Sequence, residues 1–206
     1  MERRVVVPLI VAFALLMQNL DSTAIVTSLP LIAASLHEPT LRLHMVVTGY
    51  MLAFATALPI SGWVADRFGA RQIFRIAMAI FTIGSIMCGW ANSFEELILY
   101  RVIQGIGGAL MVPVGRLILV RSVPKPELVS AMALMGMPTI IGPLLGPVVG
   151  GLIATVSSWR WIFWINVPIG VLGIVLVTKY IEDVRDRKST RLNSSHIPLS
   201  RMPSSA

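Results

Sequence analysis

Six apolar stretches, separated by short polar segments, leave this chain few ways to fold. They run roughly over residues 5–30, 43–64, 73–90, 97–120, 129–156 and 161–180. Each is about 18–28 residues long, near or above the ~20 that a helix needs to cross a ~30 Å hydrocarbon layer. Membrane strands would be shorter and would alternate in polarity, which argues against a barrel. Without water, backbone polar groups must pair within their own segment, and that selects helices. The predicted fold class is an all-α integral membrane protein with six transmembrane helices. Composition agrees: only 13% of residues are charged and 55% are hydrophobic, whereas soluble domains carry about 25% charged residues. The net charge of +7 comes from 17 Lys and Arg against 10 Asp and Glu. These basic residues cluster between apolar runs, a pattern of membrane topology rather than of a nucleic-acid surface. The expected partner is therefore the lipid bilayer, and no nucleic acid.

Orientation follows from those clusters. With the N-terminus in the cytoplasm, the inner segments hold Arg3, Arg4, Arg67, Arg71, Arg75, Arg116, Arg121, Lys125, Lys179, Arg185, Arg187 and Lys188. The outer loops hold only Arg42 and Arg160. An even number of spans returns the C-terminus to the cytoplasm. The first stretch is too long for a signal-peptide core, contains Gln18, Asn19 and Asp21, and lacks a clear cleavage site. The bundle is expected over residues 1–183, followed by a disordered tail, 184–206. Within it, residues 189–206 read STRLNSSHIPLSRMPSSA, with six serines, two prolines and no acid. This resembles translated adapter read-through, so the chain is expected to be a fragment that naturally continues past about Lys188, and His196 is expected to carry no function.

Ionisable residues inside apolar stretches are the most informative, because a charge at the centre of a membrane helix costs at least ~2.5–3.5 kcal/mol on insertion scales. Arg101 lies in LILYRVIQGIGGAL, near the start of the fourth stretch. It either snorkels to the interface or holds a fixed positive charge against an anion or carboxyl. Asp21 lies in QNLDSTAIVTSLP, beside Gln18 and Asn19. It is either a carboxylate that reaches outer water or bonds within its own helix, or a protonatable or cation-attracting group that faces a central cavity. In the fifth stretch, MGMPTIIGPLLGPVVGG, Gly142, Gly146 and Gly150 recur every four residues and share one helix face. Such faces let helices approach closely. Pro138, Pro143 and Pro147 each remove an internal hydrogen bond, so a bent, closely packed helix at a site of motion is expected. GWVADRFGARQIF joins the second and third stretches. There Gly62 and Gly69 allow close approach or a sharp turn, Asp66 can cap the start of the third helix, and Arg67 and Arg71 are cytoplasmic cations.

These motifs resemble, in order, those of the N-terminal half of a major facilitator superfamily transporter, closest to the fourteen-helix drug:proton antiporters. The likeness spans roughly residues 5–183. LDSTAIVTSLP is similar to the group's first-helix motif, GWVADRFGARQIF to the superfamily's loop motif, and LILYRVIQGIGGAL, with Gln104, to its fourth-helix motif. MGMPTIIGPLLGPVVGG, ending at Gly151, resembles the helix-five antiporter motif, and WRWIFWINVPIG the sixth-helix signature. Met45 departs from the pattern, which has Trp there. The resemblance implies proton coupling through Arg101 and Gln104, with Asp21, Gln18 and Asn19 on the translocation path. It implies a cytoplasmic latch at Gly62, Asp66, Arg67, Gly69 and Arg71. It also implies a gating interface at Gly142, Pro143, Gly146, Pro147, Gly150 and Gly151.

Other residues are less informative. Cys88 is the single cysteine, inside an apolar stretch, so no internal disulfide or cysteine metal site is expected. His37 and His44 flank the first outer loop without partners at ligand spacing. Trp90, Trp159, Trp161 and Trp164 suit an interfacial belt. No phosphate-binding Gly-Lys-Ser/Thr motif or nucleophile elbow occurs, so no enzyme activity and no cofactor is expected. The expected function is one half of a proton-coupled multidrug efflux antiporter in a bacterial cytoplasmic membrane. It would export small lipophilic compounds in exchange for protons, together with missing C-terminal helices. The alternatives are a metabolite permease of the same superfamily, or a non-transporting membrane scaffold or sensor.

Overall fold

The computed structural model describes the chain from Arg3 to Ile181, and the serine-rich tail lies outside the described residues. Its helices are α1 (Arg3–Leu36), α2 (Thr40–Phe68), α3 (Ala70–Trp90), α4 (Phe94–Ser122), α5 (Leu128–Val156), α6 (Trp161–Trp164) and α7 (Asn166–Tyr180). The last two form one span of 20 residues, making six apolar rods long enough to cross a membrane. A break falls at Ile165, where Pro168 has no N–H to offer the Trp164 carbonyl.

Helix ends are set by local chemistry. His37 adopts a positive φ of 56° and ends α1, and the Glu38 N–H returns to the Ala33 carbonyl at 3.0 Å. That is a left-handed C-terminal cap, with histidine where glycine is usual. Ser93 caps α4 by accepting from the Glu96 N–H at 3.2 Å, while Glu96 accepts from the Asn92 N–H at 2.9 Å. Gly69, with φ 93°, is the entire connection between α2 and α3.

Two helices are longer than the apolar pattern predicts. α1 runs through Pro30 to Leu36, and α2 runs past Val64 to Phe68. In a membrane helix, neighbouring groups compensate one missing N–H, so Pro30 interrupts a hydrogen bond and not the rod. The extension of α2 places Gly62 and Asp66 within a helix rather than in a loop.

The inner helices are α1, α3 and α4, which each bury 56% of their most apolar stretch, against 22% for α2 and α5 and 28% for the sixth span. α1 packs on α5 and α7, α4 packs on α2 and α3, and α3 packs on α7. The exposed faces of α2 and α5 are apolar: Met51, Leu52, Ile60 and Trp63 on one, Ile140, Leu144, Val148 and Leu152 on the other. Met45 also lies on the exposed face of α2.

The hydrophobic core is in two pieces. One, at the end holding the N-terminus, gathers residues such as Val11, Phe74, Phe81, Met111 and Leu119. The other, toward the opposite end, gathers Ile25, Ile32, Leu43, Leu97 and Phe163. Between them lies a layer of buried polar side chains: Asp21, Ser85, Arg101, Gln104 and Asn166.

Candidate functional site

The polar layer is built around one ion pair. Arg101 on α4 and Asp21 on α1 are both fully buried, with Arg101 Nη1 2.5 Å from Asp21 Oδ2. The same nitrogen donates to Gln104 Oε1 at 2.8 Å, one turn along α4. Asp21 Oδ1 accepts from Gln104 Nε2 at 3.0 Å and from Asn166 Nδ2 at 2.7 Å. Asn166 also donates to Ser85 Oγ at 3.0 Å, and Ser85 donates to the Phe163 carbonyl at 2.9 Å. The Cys88 thiol faces Gln104 Oε1 at 3.8 Å. The guanidinium lies over the Tyr50 ring, 4.3 Å from its centroid, with Phe163 at 5.7 Å. Four helices, α1, α3, α4 and α7, thus hydrogen-bond around one carboxylate and one cation of zero net charge, and α2 and α6 add the Tyr50 and Phe163 rings.

Burial decides between the two readings of each residue. Arg101 does not snorkel, and Asp21 does not reach water: each is the other's counter-ion. Glycines make the convergence possible. A Cβ on Gly105 would lie 2.6 Å from the Tyr50 carbonyl, and one on Gly84 would lie 2.9 Å from Gln104 Cα. α4 therefore closes on α2 and α3 at the level of the layer. Arginine keeps its proton, so Arg101 is a fixed buried cation whose counter-ion is the Asp21 carboxylate.

Beside the layer is a cavity of about 620 Å³ between α1, α2, α4 and α5. Gln18, Asn19, Phe54, Arg116 and Met135 are among its lining residues. Gln18 is 7% exposed, and Asn19 donates to the Leu15 carbonyl of its own helix at 2.8 Å. The cavity lining runs from Gln18 and Asn19 beside the layer to Leu58 and Arg116, nearer the end of the bundle that holds the N-terminus.

The glycine face of α5 is turned inward. Methyl groups on Gly142, Gly146 or Gly150 would collide with Asn19, Thr23 and Ala24 of α1, respectively. Thr23 Oγ1 and Ser28 Oγ donate across this seam to the Gly142 and Gly150 carbonyls, each at 3.2 Å. Pro138 is buried, whereas Pro143 and Pro147 are exposed and Gly151 has open space around it. The expected glycine face is thus a contact within this bundle, and Pro143 and Pro147 join Ile140, Leu144, Val148 and Leu152 on the outward surface of α5.

At the N-terminal end, Asp66 does not cap α3. It sits in the last turn of α2, and its Oδ1 accepts from Arg121 Nη2 of α4 at 3.0 Å. Gly69 precedes α3 with no side-chain cap. Gly62 lies mid-helix on the exposed side with nothing near its Cβ position, so neither a turn nor a close contact explains it here. Arg67 stacks over Trp63 and Phe68 at 5.7 and 5.9 Å. Arg71 donates to the Thr178 carbonyl at the end of α7, a favourable place for a cation.

Three site residues were not singled out by sequence: Tyr50, Ser85 and Asn166. Tyr50 and Ser85 offered no signal beyond a polar group inside an apolar stretch, whereas Asn166 stands within WRWIFWINVPIG. His37 and His44 are exposed. Of the tryptophans, Trp90 and Trp161 are exposed, but Trp159 is buried under Arg160, 4.5 Å from ring centroid to guanidinium carbon. No cluster of metal-ligating side chains occurs among the described residues.

The sequence profile of the Major Facilitator Superfamily matches residues 11–204. The chain belongs to this superfamily. Its relatives include proteins that carry the provisional name multidrug resistance protein MdtD. The one from Citrobacter koseri is 49% identical over 166 residues, covering 81% of this chain and 35% of the relative. The one from Salmonella typhimurium is 47% identical over 180 residues, 85% of this chain and 38% of the relative. The chain thus spans about a third of the length of the curated relatives it matches. Among solved structures, a partially occluded, inward-open form of the xylose transporter XylE from E. coli aligns with a TM-score of 0.80 at 18% identity. That alignment covers 92% of this chain and 52% of that one. A bacterial homologue of the lysosomal transporter Spinster aligns with a TM-score of 0.71 at 21% identity, covering 87% and 42%. At these identities the likeness is one of fold. As a superfamily member with six apolar helices and bacterial relatives, the chain is a multi-pass protein of the bacterial inner membrane.

Proposed function

We propose that this chain is the N-terminal six-helix half of a proton-coupled multidrug efflux antiporter. The observation that carries the reading is the buried Asp21–Arg101 pair, beside a cavity lined by α1, α2, α4 and α5. A proton on Asp21 would leave Arg101 without its counter-ion, so protonation and substrate occupancy can bias two access states. The names of the MdtD relatives support a drug-like substrate, and a cavity wall that mixes Phe54, Met132 and Met135 with Gln18, Asn19 and Arg116 suits an amphipathic one. In transporters of this kind two bundles rock about a midplane site. The apolar outward faces of α2 and α5 suit packing against a second bundle. Asp66, Arg67, Gly69, Arg71 and Arg121 at one end would then form the cytoplasmic latch, with Gly62 on the α2 face turned toward the second bundle. The chain termini would lie in the cytoplasm.

The test uses the full-length protein in inverted vesicles, with substrate-driven proton release read by a pH-sensitive dye. Asp21→Asn is expected to abolish substrate-driven proton release while leaving the protein in the membrane. Proton release that survives in Asp21→Asn, while Arg101→Ala also stays active, refutes proton coupling through this pair. Residues 1–206 alone are expected to give no efflux.

A further inference from the structure

The hydrogen bonds of the polar layer leave a remainder. Four buried polar atoms next to it have no partner: Gln18 Oε1, Tyr50 Oη, and Nε and Nη2 of Arg101. Their side chains are 7%, 4% and 0% exposed, so bulk water does not satisfy them. They are also neighbours. Tyr50 and Gln18 approach within reach of a mutual hydrogen bond without forming one of good geometry, and Tyr50 lies beneath the Arg101 guanidinium. A Cβ on Gly108 would sit 2.9 Å from Tyr50 Oη and 3.5 Å from Gln18 Cγ, so that glycine leaves open the corner where the two side chains meet.

Buried polar groups without partners are rare, and an internal water is the usual reason for a cluster of them. The chemistry here complements a water molecule. Arg101 has two donor nitrogens to spare, Gln18 has an acceptor, and Tyr50 has one of each. A direct Tyr50–Gln18 bond would satisfy those two groups and still strand the arginine. The cluster also has a direction. Gln18 lines the cavity, while Arg101 holds Asp21, which lies close enough to Tyr50 for their charges to interact. Asp21 Oδ2 accepts only the one bond from Arg101 among the described residues, so a lone pair stays free.

We propose that Gln18, Tyr50 and Arg101 hold a buried water, and that this water carries protons between the cavity and Asp21. In the step itself, hydronium in the cavity gives a proton to the held water, which passes a proton to the free lone pair of Asp21 Oδ2. The held water is restored, Arg101 stays protonated, and one proton has moved with no other reactant. Tyr50 and Gln18 act as positioning residues, and the π-face of Tyr50 keeps the guanidinium in place meanwhile. The inference rests on Asp21 as the proton acceptor and adds the route by which the proton arrives.

Infrared difference spectroscopy on the full-length protein tests both parts. The carboxyl band of protonated Asp21 is identified by its absence in Asp21→Asn. A water band that shifts in H₂¹⁸O is expected in the wild type and lost in Gln18→Leu. After a pH jump, growth of the Asp21 band is expected to slow at least tenfold in Gln18→Leu and Tyr50→Phe with its final amplitude kept, because the acceptor is intact. Gln18→Glu keeps the acceptor and is expected to restore the rate. Tyr50→Phe keeps the ring under Arg101, so a folding defect does not confuse the reading. A missing isotope-sensitive band, or unchanged rates in both variants, overturns the water route and leaves Asp21 as the acceptor. Absence of any band that depends on Asp21 overturns the proton coupling itself, and this inference with it.

Discussion

Removing one half of the Asp21–Arg101 pair should be felt across the whole bundle, and the single cysteine offers a way to measure it. Asp21→Ala deletes the salt bridge at 2.5 Å and the two bonds accepted from Gln104 and Asn166. It leaves a fully buried guanidinium with one polar partner, Gln104. Breaking a buried pair from one side costs about 3–5 kcal/mol, since the remaining charge is uncompensated. Cys88 is fully buried, packed against Gln104, and is labelled by a thiol reagent only when the layer opens. Each ~1.4 kcal/mol is tenfold in an opening equilibrium. The labelling rate of Asp21→Ala in lipid nanodiscs should therefore exceed that of the unmodified chain by about two to three orders of magnitude, provided opening is fast relative to labelling. Removing both charges, with Asp21→Ala and Arg101→Met together, should bring the rate back toward the starting value. The two effects are coupled through one contact and should not add. A labelling rate less than about threefold faster in Asp21→Ala, or a double variant as fast as the product of the singles, would refute the claim that this pair holds the layer shut.

Two further outcomes follow from the geometry. Gly146→Ala should destabilise the α1–α5 seam by about 1–3 kcal/mol, as overpacking does, because its methyl collides with Thr23. Gly151→Ala, in open space one residue beyond Gly150, should fall within about 0.5 kcal/mol of the unmodified chain. Unfolding titrations in mixed micelles separate the two, and equal effects would remove the seam from the argument. Asp66→Asn breaks a pair in which Asp66 is 66% exposed and Arg121 33%. Pairs of that kind are worth about 0–1 kcal/mol, so stability should barely move, while cysteine cross-linking across the two bundles of the full-length protein should report a shifted balance of access states. A large loss of stability would make Asp66 a structural residue and not a latch.

The six rods and the two membrane charges were legible in the sequence because both are costly to misplace. A 20-residue apolar run has few alternatives, and a charge in hydrocarbon demands a partner. Neutral polar residues carry no such demand. Thr48, Thr56 and Thr155 each satisfy their hydroxyl on a carbonyl four residues back in their own helix. A serine or asparagine in an apolar stretch could do likewise, so nothing in the sequence separated Ser85 and Asn166, which bind across helices, from residues that look inward to their own backbone. Tyr50 was hidden for a related reason: its ring suits a core and its hydroxyl an interface. Asp66 was misplaced because the end of α2 depends on one residue. With Gly69 alone turning the chain, everything before it stays helical, and the aspartate points at α4 instead of at α3. The glycines of α5 were legible as a face, but which neighbour that face meets is a matter of tertiary packing.

The uncovered sides of α2 and α5 also bear on how such a protein is made. In water, rows of leucine, isoleucine and valine left bare would drive a half-finished chain to precipitate. Acyl chains, however, are as oily as those side chains and gain little by expelling them. Lipid can thus serve as a stand-in neighbour for these two rods from the moment they leave the translocation machinery. Helices that pack there later would displace lipid rather than water.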